Sequence, residues 1–147
     1  MLSTKRANMA LAVLGLSAFS LLMGAQSGDT YKLRFSPVPA DARTRAELAG
    51  TGSVTAALSG SKLSINGSFQ GLLSPATKAE LHSAVAAGVR GPVVRDLKVD
   101  KGESGTISDT VDLTPQQIES FHKGGLYIQL YSEKQAAEGV LWGWFLK

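Results

Sequence analysis

Glu80 and His82 are the side chains best suited to chemistry in this sequence, and they stand one residue apart in "AELHS". A carboxylate and an imidazole can share a proton or a metal ion. In an extended segment their spacing of two puts both on one face, whereas in a helix it splays them apart. Tyr131 is a third polar group able to join them. The other histidine, His122, stands beside Lys123 at the end of a helical pattern, where a cationic residue ordinarily complements the helix dipole. There is no cysteine, so thiol catalysis and cysteine-ligated metal sites are excluded. Nucleophilic catalysis needs a base within reach of its nucleophile, and no nucleophile elbow or other catalytic motif accompanies the histidines. No catalytic residue and no cofactor is therefore expected. Glu80 and His82, with Tyr131, remain the minimal candidates for a metal or small ligand. Fewer than three ligands rarely make a tight site, and a hydrogen-bonded surface histidine is the simpler reading.

A different chemistry, that of an interface, is written at the end of the chain in "EGVLWGWFLK". Val140, Trp142, Trp144 and Leu146 recur at every second residue, so in a strand they form one continuous stripe, with Leu141 and Phe145 on the opposite side. Exposed, the stripe would be an apolar patch of the size that marks a partner or membrane contact, and Trp is a favoured anchor in both settings. Tyr127 and Tyr131 alternate with Leu126, Ile128 and Leu130 in the preceding segment and would extend the same surface if the two strands are neighbours. The competing reading is that the stripe is internal, covered by the 37–52 connection or by a short helix.

The elements that must carry these residues begin after an export signal. Lys5 and Arg6 precede an uncharged apolar run from Met9 to Met23 and the small and polar residues Gly24-Ala25-Gln26-Ser27. That order is the charged, apolar and small-residue sequence of a secretory signal. Ala25 and Ser27 are spaced for cleavage after Ser27. The run falls short of the ~20 residues of a spanning helix, so a cleaved signal is expected, with an uncleaved anchor through residues 9–23 as the alternative. Removing Lys5 and Arg6 leaves thirteen cations against twelve anions, a net charge of +1. No basic stripe remains, which excludes nucleic acid as a partner. Export without disulfides means that the domain of residues 28–147 relies on its core, and without cysteine the chain is no lipoprotein.

Across that domain the dominant period is two. Tyr31, Leu33 and Phe35 oppose Lys32 and Arg34; Leu63, Ile65 and Phe69 oppose Lys62, Ser64, Asn66, Ser68 and Gln70; Ile107, Val111 and Leu113 oppose Thr106, Ser108, Thr110 and Asp112. Val54, Ala56 and Leu58 share a side, and Val93–Val99 is a weaker case interrupted by Arg95. Ser59-Gly60-Ser61 reads as a tight hairpin. "LTPQQIESFHKGG" predicts a short helix, with Thr114 as N-cap, Pro115 at its first position, Gln117 closing a capping box and Gly124 or Gly125 ending it. The Ala-rich stretch after Pro75 suggests a second helical turn. Asn66-Gly67-Ser68 matches a glycosylation acceptor, a match common by chance. Six or seven strands and one short helix predict an antiparallel β-sandwich.

From Tyr31 to Lys147 the chain resembles the CHRD domain, a module named from chordin and common in exported bacterial proteins. The resemblance rests on "SPVPADARTRAELAGTGSVTAAL", "SFQGLLSPATKAELHSAVAAGVRGPVV" and "LTPQQIESFHKGGLYIQLYSE" followed by "EGVLWGWF". It implies a Greek-key sandwich of the immunoglobulin or superoxide-dismutase kind. Members typically carry Ala-His-x-His-Gly where this chain has Ala79-Glu80-Leu81-His82-Ser83, and a histidine in place of Tyr131. Near the end they carry Glu, Arg and Gln where this chain has Val140, Trp142 and Trp144. A face that the family gives to water is here apolar. The sequence thus leads to a non-catalytic exported protein, periplasmic or extracellular, that docks as an accessory subunit on a protein partner or membrane complex through its terminal strand. A metal- or ligand-binding protein using Glu80, His82 and Tyr131 is the alternative, and a structural envelope protein with a buried terminal strand a third.

Overall fold

The computed structural model describes residues 28–147; the signal or anchor expected over residues 1–27 lies outside them. Eight strands and one helix follow in the order β1 (Asp29–Pro37), β2 (Thr51–Ser59), β3 (Lys62–Gln70), β4 (Ala76–Ser83), β5 (Val93–Leu97), β6 (Gly105–Asp112), α1 (Pro115–His122), β7 (Leu126–Ser132) and β8 (Leu141–Trp144). The strands that alternate in sequence alternate in space. Tyr31, Leu33 and Phe35 of β1 point into the core while Lys32 and Arg34 face out, and Leu63, Ile65 and Phe69 of β3 do the same against their polar neighbours. β2 and β3 form the expected hairpin around Gly60, whose φ of 60° a glycine adopts without steric cost.

All pairings are antiparallel, and the sheet order is β5-β4-β7-β8-β1-β2-β3-β6. The two end strands then approach each other. Beyond β5, Asp100 N donates to Thr106 O at 3.1 Å and Ser108 N to Lys98 O at 3.2 Å, which nearly closes the sheet. Both halves contribute to one core, in which Leu33, Ile65, Leu81, Ile107, Ile128 and Phe145 are fully buried. Each such side chain contributes roughly 1.5–3 kcal/mol of burial.

α1 has the capping box read from sequence. Gln117 N donates to Thr114 Oγ1 at 3.3 Å, and Thr114 N donates to the Gln117 side chain at 2.9 Å. Its Phe121 ring packs 4.2 Å from Tyr31 and 6.4 Å from Phe145, plugging one end of the core.

The stretch after Pro75 is not a helical turn but strand β4. It is internal, with β5 on one side and β7 on the other, and Ala79, Glu80, Leu81 and His82 are buried on both faces. Burial on both faces removes the alternation by which a strand is recognised, and the alanines then read as helix formers.

Candidate functional site

The outer face of β4, β7 and β8 carries the residues singled out from sequence. Register places His82 opposite Tyr127 and Tyr127 opposite Trp144; one step along the strands it places Glu80 opposite Gln129 and Gln129 opposite Trp142. The first row is a stack of rings, with His82 to Tyr127 at 4.7 Å between centroids and Tyr127 to Trp144 at 4.8 Å. Trp142 meets Trp144 edge to face at 4.9 Å, an arrangement that aromatic quadrupoles favour.

Two loops fold over this face. From the 84–92 loop, Gly91 N donates to the Tyr127 hydroxyl at 3.1 Å, and that hydroxyl donates back to Gly91 O at 3.2 Å. Gly91 O also lies 3.0 Å from His82 Nδ1. A carbonyl oxygen only accepts, so the Nδ1 atom carries the proton. Gly91 must be glycine here, because a Cβ would collide with the Ser83 carbonyl oxygen. Arg90 lies over the Trp142 ring, 5.4 Å from its centroid, and pairs with Glu138 of the 133–139 loop. Gln129 Nε2 donates to Glu138 O at 2.9 Å.

These loops overturn two assignments. Tyr127 is not a surface anchor: it is 1% exposed, clamped between His82 and Trp144 under Gly91. Val140 does not belong to the outer stripe. It precedes β8, after Gly139 at φ 93°, where strand alternation does not yet apply, and it is fully buried in the core. Trp142 and Trp144 do lie on the outer side, half-buried, Leu146 is exposed, and Tyr131 is half-buried beside them. What covers the stripe is therefore neither the 37–52 connection nor α1, but loops 84–92 and 133–139. The clamp joins residues 36 apart along the chain, so local periodicity carries no sign of it. The one local hint is the Gly91-Pro92 turn pair.

Because β4 is extended, Glu80 and His82 do share a face, and His82 Nε2 lies 3.3 Å from Glu80 Oε2. That contact is not aligned as a hydrogen bond, which leaves Nε2 buried without a partner; Trp144 Nε1 is in the same condition. Glu80 is held as a carboxylate. Burial pushes its pKa up, but the Lys78 ammonium at 2.7 Å, the Tyr131 hydroxyl and the positive charge of Lys78 outweigh burial and lower it. Tyr131 moves the opposite way. Burial, then the adjacent Glu80 charge, raise its phenol beyond the ordinary range. Its hydroxyl, with a single proton to give, lies 3.3 Å from Gln129 Oε1 as well as beside Glu80, and Lys78 sits 4.5 Å over its ring. The structure thus brings Glu80, His82 and Tyr131 into one polar cluster. Among the described residues no three His, Cys, Asp or Glu side chains converge. His122 lies elsewhere, 2.9 Å from Asp29 Oδ2.

Beyond Trp144 the same face continues onto the neighbouring strand β1, where a groove is lined by Thr30, Lys32, Arg34 and Ser36, by Trp144 and Leu146 beside them, and by Ala87 and Gly88 of the 84–92 loop. Among the described residues no helix is long and apolar enough to cross a membrane. The model of the CHRD domain family matches residues 29–141. No curated protein and no solved structure matches the chain.

Proposed function

The chain belongs to the CHRD domain family, and from that premise we propose that it is an exported, non-catalytic accessory domain that docks on a larger protein or membrane complex through the outer face of its terminal strand. One observation carries the reading: Trp142 and Trp144 remain half-exposed on β8, edge to face, with exposed Leu146 after them, while Leu141 and Phe145 on the other side complete the core. The outer pair is pre-set by the Tyr127 stack and by Arg90, so an approaching partner meets rings whose conformational entropy is already lost. Trp and Arg are the residues that most often anchor interfaces. In this reading the protein works in the periplasm or outside the cell, and retention of residues 9–23 as an anchor would tie it to a membrane complex. The test is gentle solubilisation of the native source, blue-native electrophoresis and N-terminal mass spectrometry. Comigration with a large complex is expected; a free monomer in every fraction contradicts the proposal.

A second reading gives Glu80, His82 and Tyr131 to a metal or small ligand. It is favoured by the buried, unpartnered His82 Nε2 beside a carboxylate. Against it, Lys78 already neutralises Glu80. In this reading Zn2+ or Cu2+ raises the melting temperature of wild type and not of His82→Ala. Equal response, or none, removes it.

A further inference from the structure

We infer that the groove over the outer side of β1, Trp144 and Leu146 binds an amphiphilic anion, a carboxylate or phosphate head on an apolar body. The inference deepens the docking reading, on which it rests for the accessibility of Trp144 and Leu146, by naming the chemistry that this end of the surface accepts.

Three features carry it. The first is shape. The cleft has a volume of about 670 Å³, and its polar wall is the outward side of β1. Thr30 to Ser36 at strand rise gives that wall a length of about 20 Å, and the volume lies within the roughly 300–1,000 Å³ of small-molecule sites.

The second is charge. Lys32, Arg34 and Lys147 line the groove and no Asp or Glu does. Two other clefts mix signs, with Arg95 and Lys98 beside Asp100 and Asp109 in one, and Arg90 and Lys123 beside Glu119 in the other. Lys147 is partly answered by Asp29 at 3.6 Å. Lys32 and Arg34 have no acidic partner among the described residues, and residues 1–27 contain no Asp or Glu. Two cations on adjacent outward positions of one strand repel each other, and a bound anion removes that cost. The row Thr30, Lys32, Arg34, Ser36 offers only hydroxyl, ammonium and guanidinium donors to such a head.

The third is the apolar side. The Trp144 ring and Leu146, which is 52% exposed, lie beside that donor row on the neighbouring strand, with Leu146 directly across the pairing from Lys32. Ala87 closes the groove near Gly124, where a built Cβ would lie 3.5 Å from Ala87 Cβ and 3.1 Å from Leu146 Cδ2. Val85 and Val89, both exposed, stand on the same loop. A donor row beside an apolar row matches a molecule with one charged end and an apolar length. It does not match the chain's own residues 1–27, whose only charges are Lys5 and Arg6 and would be repelled.

The experiment titrates sodium dodecanoate, below its micellar range and at low ionic strength, into the protein purified without ionic detergent. Tryptophan fluorescence is the readout, since the chain's two Trp residues both lie on this face. Dodecyltrimethylammonium, dodecyl maltoside and phosphatidylglycerol vesicles are run beside it. The expected result is a saturable response to dodecanoate that weakens with salt and falls at least ~10-fold in Lys32→Gln/Arg34→Gln. Both positions are exposed, so the variant is expected to melt with wild type; Lys147→Gln supplies an independent variant. Equal responses to all three head groups, a response unmoved by either variant, or a response to vesicles alone each overturns the inference. Failure here with a partner complex still observed in native electrophoresis leaves docking standing and removes only the groove.

Discussion

The Gly91 carbonyl accepts from both His82 and Tyr127, and this places a proton on Nδ1 of one and fixes the position of the other. The imidazole therefore turns Nε2 toward Glu80, whose charge is stabilised from the far side by Lys78. Glu80 is only about a tenth exposed, so its ionisation bears on folding. Its pKa is lower in the fold than in the unfolded chain, where a glutamate titrates near 4.3. The stability it contributes is fully present above that unfolded value and is lost as pH falls through the lower folded value. Glu80→Gln is therefore expected to be less stable than wild type at pH 7, with the gap narrowing as pH drops below ~4. Urea denaturation at a series of pH values checks this, and a gap that stays constant down to pH 3 contradicts it. The pairing of Glu80 with His82 was legible from their spacing once an extended segment was assumed. The partner that orients His82 was not, because Gly91 comes from a loop whose path depends on the finished sheet.

β8 shows how one short element can read two ways. Its inner side, Leu141 and Phe145, has no solvent exposure, and Phe145 packs against Phe121 of α1. Phe145→Ala is expected to cost about 3–5 kcal/mol in denaturant unfolding, through lost transfer energy and the cavity left behind. A loss below 1 kcal/mol would mean that the inner side is not core. The opposite side tolerates change better, since a carboxylate at position 142 would face the Arg90 guanidinium rather than a dry interior. Strands β1, β3 and β6 and the capping box of α1 were legible because alternation and capping are local. β4 was not, since a strand flanked by β5 and β7 and buried on both faces has no wet side to announce it. Val140 was misplaced for a related reason. The alternation starts in sequence at Val140, while the strand that would have enforced it begins only at Leu141.

At the scale of the whole molecule, the sheet nearly closes on itself. β5 and β6 are the end strands, and backbone hydrogen bonds across Lys98–Asp100 and Thr106–Ser108 occupy part of the edge by which another chain could add a strand. In the docking reading, recognition falls to side chains on an outer face. The best-developed such face runs from Glu80 through the Tyr127 stack and the two tryptophans to the basic row of β1. One end is a closed polar cluster and the other an open cationic groove, and the half-exposed Trp142 and Trp144 stand between them. The class of fold followed from sequence because β1, β2, β3 and β6 obey the same two-sided physics. The closure and the covering loops did not, because they depend on contacts between segments far apart in the chain.

The measurement that bears most directly on docking compares Trp142→Glu and Trp144→Glu with wild type in the native host, pairing thermal melts with blue-native electrophoresis. A docking face predicts that both variants stay folded, at a cost below about 2 kcal/mol, and run free of the complex that retains wild type. If either carboxylate unfolds the domain, as an unpaired buried charge would at several kcal/mol, or if both variants still comigrate with the complex, the outer side of β8 is structure and not a docking surface.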